Sequence, residues 1–222
     1  MLRPDHIRAI VRDRGISHLL HFTFEKNLPS ILSHGLLPAE DLDRRDDIEA
    51  FVCDPYREDG QLDCICLTVT RYQQAMFRRV KRDYRDAEWV ILVIHPAVLW
   101  ENTCLFCDGN ASSSWIKNTW RNLSTAFAFE AMFEDYHVTR KQDGVRVNAS
   151  IRALEALPDS VPTDPQSEVL VRARIPLDRI AGVWVETAEQ GERIKAMLQL
   201  VPENDRPDVF VEEYSFNACD GI

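Results

Sequence analysis

The seven residues Glu88-Trp89-Val90-Ile91-Leu92-Val93-Ile94 set the strongest constraint on the fold. After Glu88 the run is entirely apolar, with no polar alternation. A strand wetted on one side alternates polar and apolar residues, so a near-continuous run of this kind predicts a core strand covered on both faces. His95-Pro96 ends it, because proline fixes φ and has no N–H to donate.

The segments on either side supply covering layers. Pro4 to Arg14 places Ile7, Ile10 and Val11 on one helical face, with Gly15 as the stop. His18 to Thr23 reads as a strand. Glu25 to Leu37 reads as a helix burying Leu28, Ile31 and Leu32, with Gly35 as its C-cap. Pro38 to Asp63 carries many charges and no period, and a loop of that length in a compact domain is usually functional or disordered. Cys64 to Val69 is a strand. Tyr72 to Asp83 is a basic helix with Met76, Phe77 and Val80 as its apolar side, and Ala97 to Trp100 is a helical turn. Cys104 to Ser114 reads as a loop around Asp108-Gly109-Asn110. Trp120 to Tyr136 reads as a helix, possible breaks included, and His137 to Pro165 as polar, irregular chain. A strand runs from Glu168 to Ile175, followed by a turn at Leu177 to Ile180 and a strand from Gly182 to Val185. A helix from Ala188 to Leu198 and a strand from Val209 to Tyr214 complete the chain. Strands and helices mix without a regular βαβ rhythm, which predicts an α+β fold. At 222 residues, one compact domain spanning 1–222 is expected.

Composition excludes several classes of function. No apolar run approaches the roughly 20 residues needed to span a bilayer, and the N-terminus has no apolar signal core. A soluble, cytoplasmic protein without membrane partners is expected. Six cysteines are too few for a disulfide scaffold, so reduced thiols are expected. Cys104-Leu105-Phe106-Cys107 is a lone C-x-x-C, whereas structural zinc normally has four ligands, so no metal is expected. The net charge of −10 argues against avid, non-specific binding to long nucleic acid. Arg71, Arg78, Arg79, Lys81, Arg82 and Arg85 nevertheless form a local basic cluster. Dinucleotide fingerprints, P-loops, zinc-protease helices and serine-hydrolase elbows are all missing from the sequence.

Glu168 is the carboxylate best placed for chemistry. It stands where Pro162-Thr163-Asp164-Pro165-Gln166-Ser167 meets the apolar Val169-Leu170-Val171. Two prolines stiffen the loop, and a strand anchors the far side. Taken alone, the same residue reads first as a charge capping a strand end, and its neighbours elsewhere in the chain shift that reading.

Three blocks together carry a resemblance. His21-Phe22-Thr23, followed by Asn27-Leu28-Pro29-Ser30-Ile31-Leu32 and Gly35-Leu36-Leu37, resembles the opening motif of the DarT family of DNA ADP-ribosyltransferase toxins. Asp59 to Thr70, running on to Tyr72 and Met76-Phe77, resembles that family's second block. Pro162 to Leu170 resembles the third, where the catalytic glutamate sits. The blocks occur in family order between Leu20 and about Trp184.

The resemblance implies an ADP-ribosyltransferase-like split mixed β-sheet core with surrounding helices, and NAD as co-substrate in its cleft. It implies transfer of ADP-ribose to a base, thymidine or guanosine, of single-stranded DNA within a toxin–antitoxin system. Glu168 would act on the acceptor. Arg57 would contact the NAD phosphates and offset charge, with Arg44 and Arg45 as alternatives. His21, Phe22, Thr23 and Ser30 would contact NAD, and Tyr72 and Met76 would wall the nicotinamide pocket. Without the resemblance, His21 reads as a core histidine, Thr23 as a helix N-cap and Met76 as core. Arg71, Arg78 and Arg79 would face the DNA phosphates. Gln166 would do so from the His137–Gln166 loop, the counterpart of the family's substrate-reading loop. The implied partner is a separate antitoxin hydrolase, macrodomain-type or other. The alternatives are transfer to RNA or protein, favoured by the acidic net charge, and a catalytically silent nucleic-acid-binding module.

Overall fold

The computed structural model describes residues 3–54, 57–118, 122–142 and 145–212. The apolar run forms the strand Trp89–Ile94, and it lies inside a seven-stranded sheet. In chain order the strands are β1 (Leu19–Phe24), β2 (Ile65–Val69), β3 (Trp89–Ile94), β4 (Cys104–Cys107), β5 (His137–Gln142), β6 (Val145–Ser150), β7 (Glu168–Val171), β8 (Ile180–Val185) and β9 (Asp208–Val211). The large sheet has the order β4-β7-β2-β1-β3-β8-β9, and β5 and β6 form a separate hairpin. Neighbours pair antiparallel except β8 and β9, which are parallel. The sheet is therefore mixed, as the resemblance implied.

The helices are α1 (Arg3–Asp13), α2 (Leu28–His34), α3 (Ala39–Leu42), α4 (Gln74–Asp83), α5 (Val98–Glu101), α6 (Ser114–Lys117), α7 (Ala126–Ala131), α8 (Ile151–Leu154) and α9 (Ala188–Leu198). Both faces of β3 are covered. Val90, Leu92 and Ile94 join a core with Ile7, Ile10, Leu28, Phe129 and Ile194. Trp89 and Ile91 face the other way, against Phe77 and Val80 of α4 and against Leu20 and Phe24. Alternate residues of one strand thus serve two cores, which is why the sequence shows no alternation.

The largest departures from the sequence reading are four. Cys104–Cys107, expected as loop, is strand β4, because its main chain pairs with β7 from Cys104↔Val171 to Cys107↔Glu168. Four residues are too few to show a period. The stretch after His137, expected as irregular, contains the β5–β6 hairpin and α8. Its polar residues mask the hairpin because it joins neither core. The helix expected from Trp120 is only Ala126–Ala131, started where Thr125 accepts the Ala128 N–H; Trp120 lies outside the described residues. The strand expected to reach Ile175 stops at Val171, and Ile175 instead bridges to Leu36. Tyr214, the expected end of the last strand, also lies outside the described residues.

That bridge makes Gly35 irreplaceable at the end of α2. Its φ of 76° and ψ of 178° lie in a region open essentially to glycine alone. A Cβ added there would sit 2.5 Å from the Ile175 carbonyl oxygen. Gly35→Ala is expected to cost roughly 2–4 kcal/mol through backbone strain and this contact. Chemical denaturation of the variant beside the wild type measures that loss.

Candidate active site

β1 pairs with β3 along its whole length, from Leu19↔Ile94 to Phe24↔Trp89. With β2 it pairs only at Leu19↔Val69 and Leu20↔Thr68. Beyond that point the two strands part and the sheet splits. His21 and Phe22 are the half-buried residues in an otherwise buried β1, at the place where β2 leaves. One hydrogen bond reaches across: His21 Nδ1 lies 2.8 Å from the Cys66 carbonyl oxygen. A carbonyl only accepts, so Nδ1 carries the proton. Burial holds the His21 pKa below its ordinary value, against the opposing pull of that carbonyl, and the Arg57 charge lowers it further. The ring is thus neutral, with its Nε2 lone pair left as an acceptor.

The split opens a cleft of about 350 Å³. His21, Phe22 and Cys66 line it from the sheet, and Thr23, Asn27 and Ser30 line it from the end of β1 and from α2. The Glu49–Asp54 segment, Arg57 and Asp59 come from the long loop, Met76 and Arg79 from α4, and Glu168 from the start of β7. Another hollow, of about 610 Å³, lies around Phe24, Tyr84 and Met197. It gathers neither His21 nor Glu168, so it is not the candidate site.

The loop before Glu168 is fixed by more than its prolines. Arg152 donates to Thr163 Oγ1 at 2.8 Å and to the carbonyls of Val161 and Pro158 at 3.0 and 2.7 Å. Asp164 Oδ1 accepts the Gln166 N–H at 2.7 Å, and the Asp164 carbonyl accepts from Ser167. Glu168 is then held in the ladder opposite Cys107. Burial pushes its pKa up to about 7; Asp59 and Asp54 push the same way, and Arg57 opposes them. A carboxyl poised near neutrality can accept a proton in one step and hold it.

Arg57 lies in the cleft wall, with 13% of its side chain exposed. It binds Asp59 through two nitrogens, at 3.1 and 2.9 Å, and donates to the carbonyls of Gln61 and Cys64 at 2.6 and 3.0 Å. Arg44 and Arg45 instead face solvent, paired with Glu40 and Asp47. Arg79 reaches the cleft, whereas Arg78 lies outside its lining. Tyr72 is buried in the aromatic cluster, edge-on to Phe77, away from the lining. Arg71 points its guanidinium toward the Pro162 carbonyl at 3.5 Å. Gln166 accepts from Asn110 at 3.3 Å, beside the cleft rather than in it. Thr23 caps no helix; its hydroxyl accepts from Asn27 instead. Cys104 and Cys107 sit in different apolar clusters, since residues three apart on a strand face opposite ways. Among the described residues, no group of three or more His, Cys, Asp or Glu side chains could hold a metal ion.

Asn27 is the residue that sequence reasoning missed. Its side-chain amide donates to Thr23 Oγ1 and to the Phe51 carbonyl at 3.0 and 2.8 Å, and accepts the Phe51 N–H at 2.9 Å. It ties the Glu49–Asp54 roof to β1, and Lys26 lies over the Phe51 ring. The four-residue spacing of Thr23 and Asn27 was a visible signal; the tie to Phe51 was not. Asn27→Ala leaves two Phe51 backbone groups without their partner, at a cost of about 1–3 kcal/mol. Hydrogen exchange at the Phe51 amide is expected to accelerate by roughly tenfold or more, with exchange in β3 unchanged.

Solved structures of similar fold include Thermus sp. 2.9 DarT in complex with ADP-ribosylated ssDNA, at 15% identity and a TM-score of 0.62 over 90% of this chain and 96% of that one. Thermus sp. 2.9 DarT in complex with NAD+ matches at 18% identity and a TM-score of 0.56, over 90% and 96%. Thermosipho africanus DarTG in complex with ADP-ribose matches at 17% identity and a TM-score of 0.57, over 90% of this chain and 51% of that chain, so the present chain spans about half its length. At these identities the likeness establishes the fold. No curated protein sequence matches significantly. The family model described as ssDNA thymidine ADP-ribosyltransferase, DarT, matches residues 20–216, from the start of the split strand past β9, and the chain belongs to that family.

Proposed function

We propose that this protein transfers ADP-ribose from NAD to a thymidine base of single-stranded DNA and releases nicotinamide, with Glu168 as the general base. The observation that carries the reading is the convergence of His21, Arg57 and Glu168 on one cleft from three separate stretches of a DarT-family chain. The neutral His21 ring offers Nε2 to a ribose hydroxyl of NAD. Arg57 offers positive charge to the dinucleotide phosphates, and Phe22, Thr23, Ser30 and Met76 line the remaining contact surface.

The chemistry balances with these groups alone. The bond between ribose C1 and the pyridinium nitrogen breaks, and nicotinamide leaves neutral. A bond forms from C1 to the thymine N3, the one ring nitrogen of the nucleotide that carries a proton. Glu168 takes that proton. Developing positive charge on the ribose is stabilised by preorganised polar groups of the cleft. The base must leave its stack to reach Glu168, which favours single-stranded substrate. Arg79, with Arg71, Arg78 and Gln166 nearby, would contact the strand.

The Thermosipho relative is a DarTG, which supports a toxin role here, countered by a separate antitoxin hydrolase that removes the mark. A reaction on DNA favours the cytoplasm as the place where the protein acts. Among the described residues no helix is long and apolar enough to cross a membrane.

Labelled NAD incubated with thymine-containing single-stranded oligonucleotides is expected to transfer label, and oligonucleotides lacking thymine are expected to stay unlabelled. Label moving to RNA or protein but not to DNA would overturn the reading. Glu168→Gln should lower kcat by about 10²-fold or more, with the KM for NAD changed by only about a fewfold. Because the base must be ionised, kcat should rise with pH through a midpoint of about 7, set by the Glu168 carboxyl.

A further inference from the structure

The reaction above gives no task to the cleft carboxylates Glu49, Asp54, Glu58 and Asp59, and of these Asp59 is the one bonded to Arg57. We propose that Asp59 is a positioning residue: it holds the Arg57 guanidinium in the cleft wall and, by neutralising that cation, sets the charge that Glu168 faces. The proposal rests on the roles assigned above to Arg57 and Glu168.

The geometry is specific. Asp59 receives Arg57 Nε at 3.1 Å and Nη2 at 2.9 Å, and its side chain is 8% exposed. Paired, planar contacts of this kind fix the orientation of the fork as well as its place. Asp59 is itself held, because Oδ1 also accepts the Gln61 N–H at 3.1 Å. The carbonyls of Gln61 and Cys64 take two further Arg57 hydrogens. Of the five N–H donors on the guanidinium, one on Nη1 is left for a ligand. The backbone is bent to allow this: Arg57 has a φ of 35° and Gly60 a φ of 72°. A non-glycine residue in the left-handed region persists when its surroundings over-determine it, and the Asp59 clamp is such a surrounding.

The second part of the role is electrostatic. The groups acting on Glu168 are Asp59, Asp54 and Arg57 from the long loop, and its charge is in turn felt by the buried thiols of Cys66 in β2 and Cys107 in β4. An unpaired Arg57 would hold Glu168 ionised and weaken it as a base. Paired with Asp59, Arg57 keeps its one free donor for the phosphates while Glu168 keeps an appetite for a proton. One carboxylate thereby lets a cation and a base share a cleft.

The test reads Glu168 directly, by carbon-13 NMR titration of its side-chain carboxyl in the apo protein. Asp59→Asn, which keeps the shape and removes the charge, is expected to lower the Glu168 midpoint by about half a pH unit or more, a threefold or greater fall in proton affinity. Arg57→Gln is expected to raise it. In transfer assays Asp59→Asn should lower kcat by roughly tenfold or more, with a smaller change in the KM for NAD, and Asp59→Glu should restore part of the loss. A merely structural Asp59 would leave the titration midpoint where it is, and that result overturns the proposal. If the wild type labels no DNA yet the midpoints move as stated, the assigned reaction fails and the Asp59 role stands. Should Asp59→Asn fail to fold, the neutral double variant Arg57→Gln/Asp59→Asn is compared with Arg57→Gln. A lower Glu168 midpoint in the double variant supports the role, and equal midpoints overturn it.

Discussion

The cleft exists because the β1–β2 ladder stops after two residue pairs, and the hydrogen bond from His21 to the Cys66 carbonyl spans the gap where it stops. In an unbroken sheet that carbonyl would accept a backbone N–H from the neighbouring strand. Here an imidazole takes the place of the missing ladder partner, so the split costs no unsatisfied acceptor at that point. The same bond selects the tautomer of the ring and leaves its other nitrogen as an acceptor. A structural requirement of the sheet and a chemical requirement of the site are met by one contact.

Everything else around the opening holds the two halves in register. On one side β1 is locked to β3 along its full length, and the doubly covered apolar strand makes that half rigid. On the other side β2, β7 and β4 form a short antiparallel set that ends with Glu168 beside Cys107. Asn27 closes the top by holding Phe51, and Arg152 stiffens the loop that delivers Glu168. The long charged loop between α3 and β2 has little helix or strand, yet it supplies the cleft with its arginine, its counter-charge and its roof.

The cleft shares the formal acidity of the whole chain, with Arg57 and Arg79 set among Glu49, Asp54, Glu58, Asp59 and Glu168. α4 turns Phe77 and Val80 into the aromatic core while Arg79 reaches the cleft, so one helix packs the core and lines the cleft with different residues. Lys81, on the same helix, pairs with Glu186 at 3.0 Å and belongs to the scaffold. Reading the basic cluster as a unit therefore overstates its reach. Of Arg71, Arg78 and Arg79, only Arg79 lines the cleft.

The sequence by itself determined the doubly covered strand at 89–94, the helices at 3–13 and 188–198, and the three blocks in family order, because each is written in local periodicity or local residue chemistry. It singled out Glu168 and His21 without showing that they share a cleft. Only the tertiary structure decided that β1 and β2 part at His21, that Arg57 rather than Arg44 or Arg45 faces inward, and that Tyr72 is core. The short β4 and the polar β5–β6 hairpin were illegible for the same reason: four residues carry no period, and a hairpin outside the core leaves no apolar trace. The pairing of β2 with β7 and the proton affinity of a buried carboxyl arise from residues in opposite halves of the chain, and no local pattern records which of them will meet.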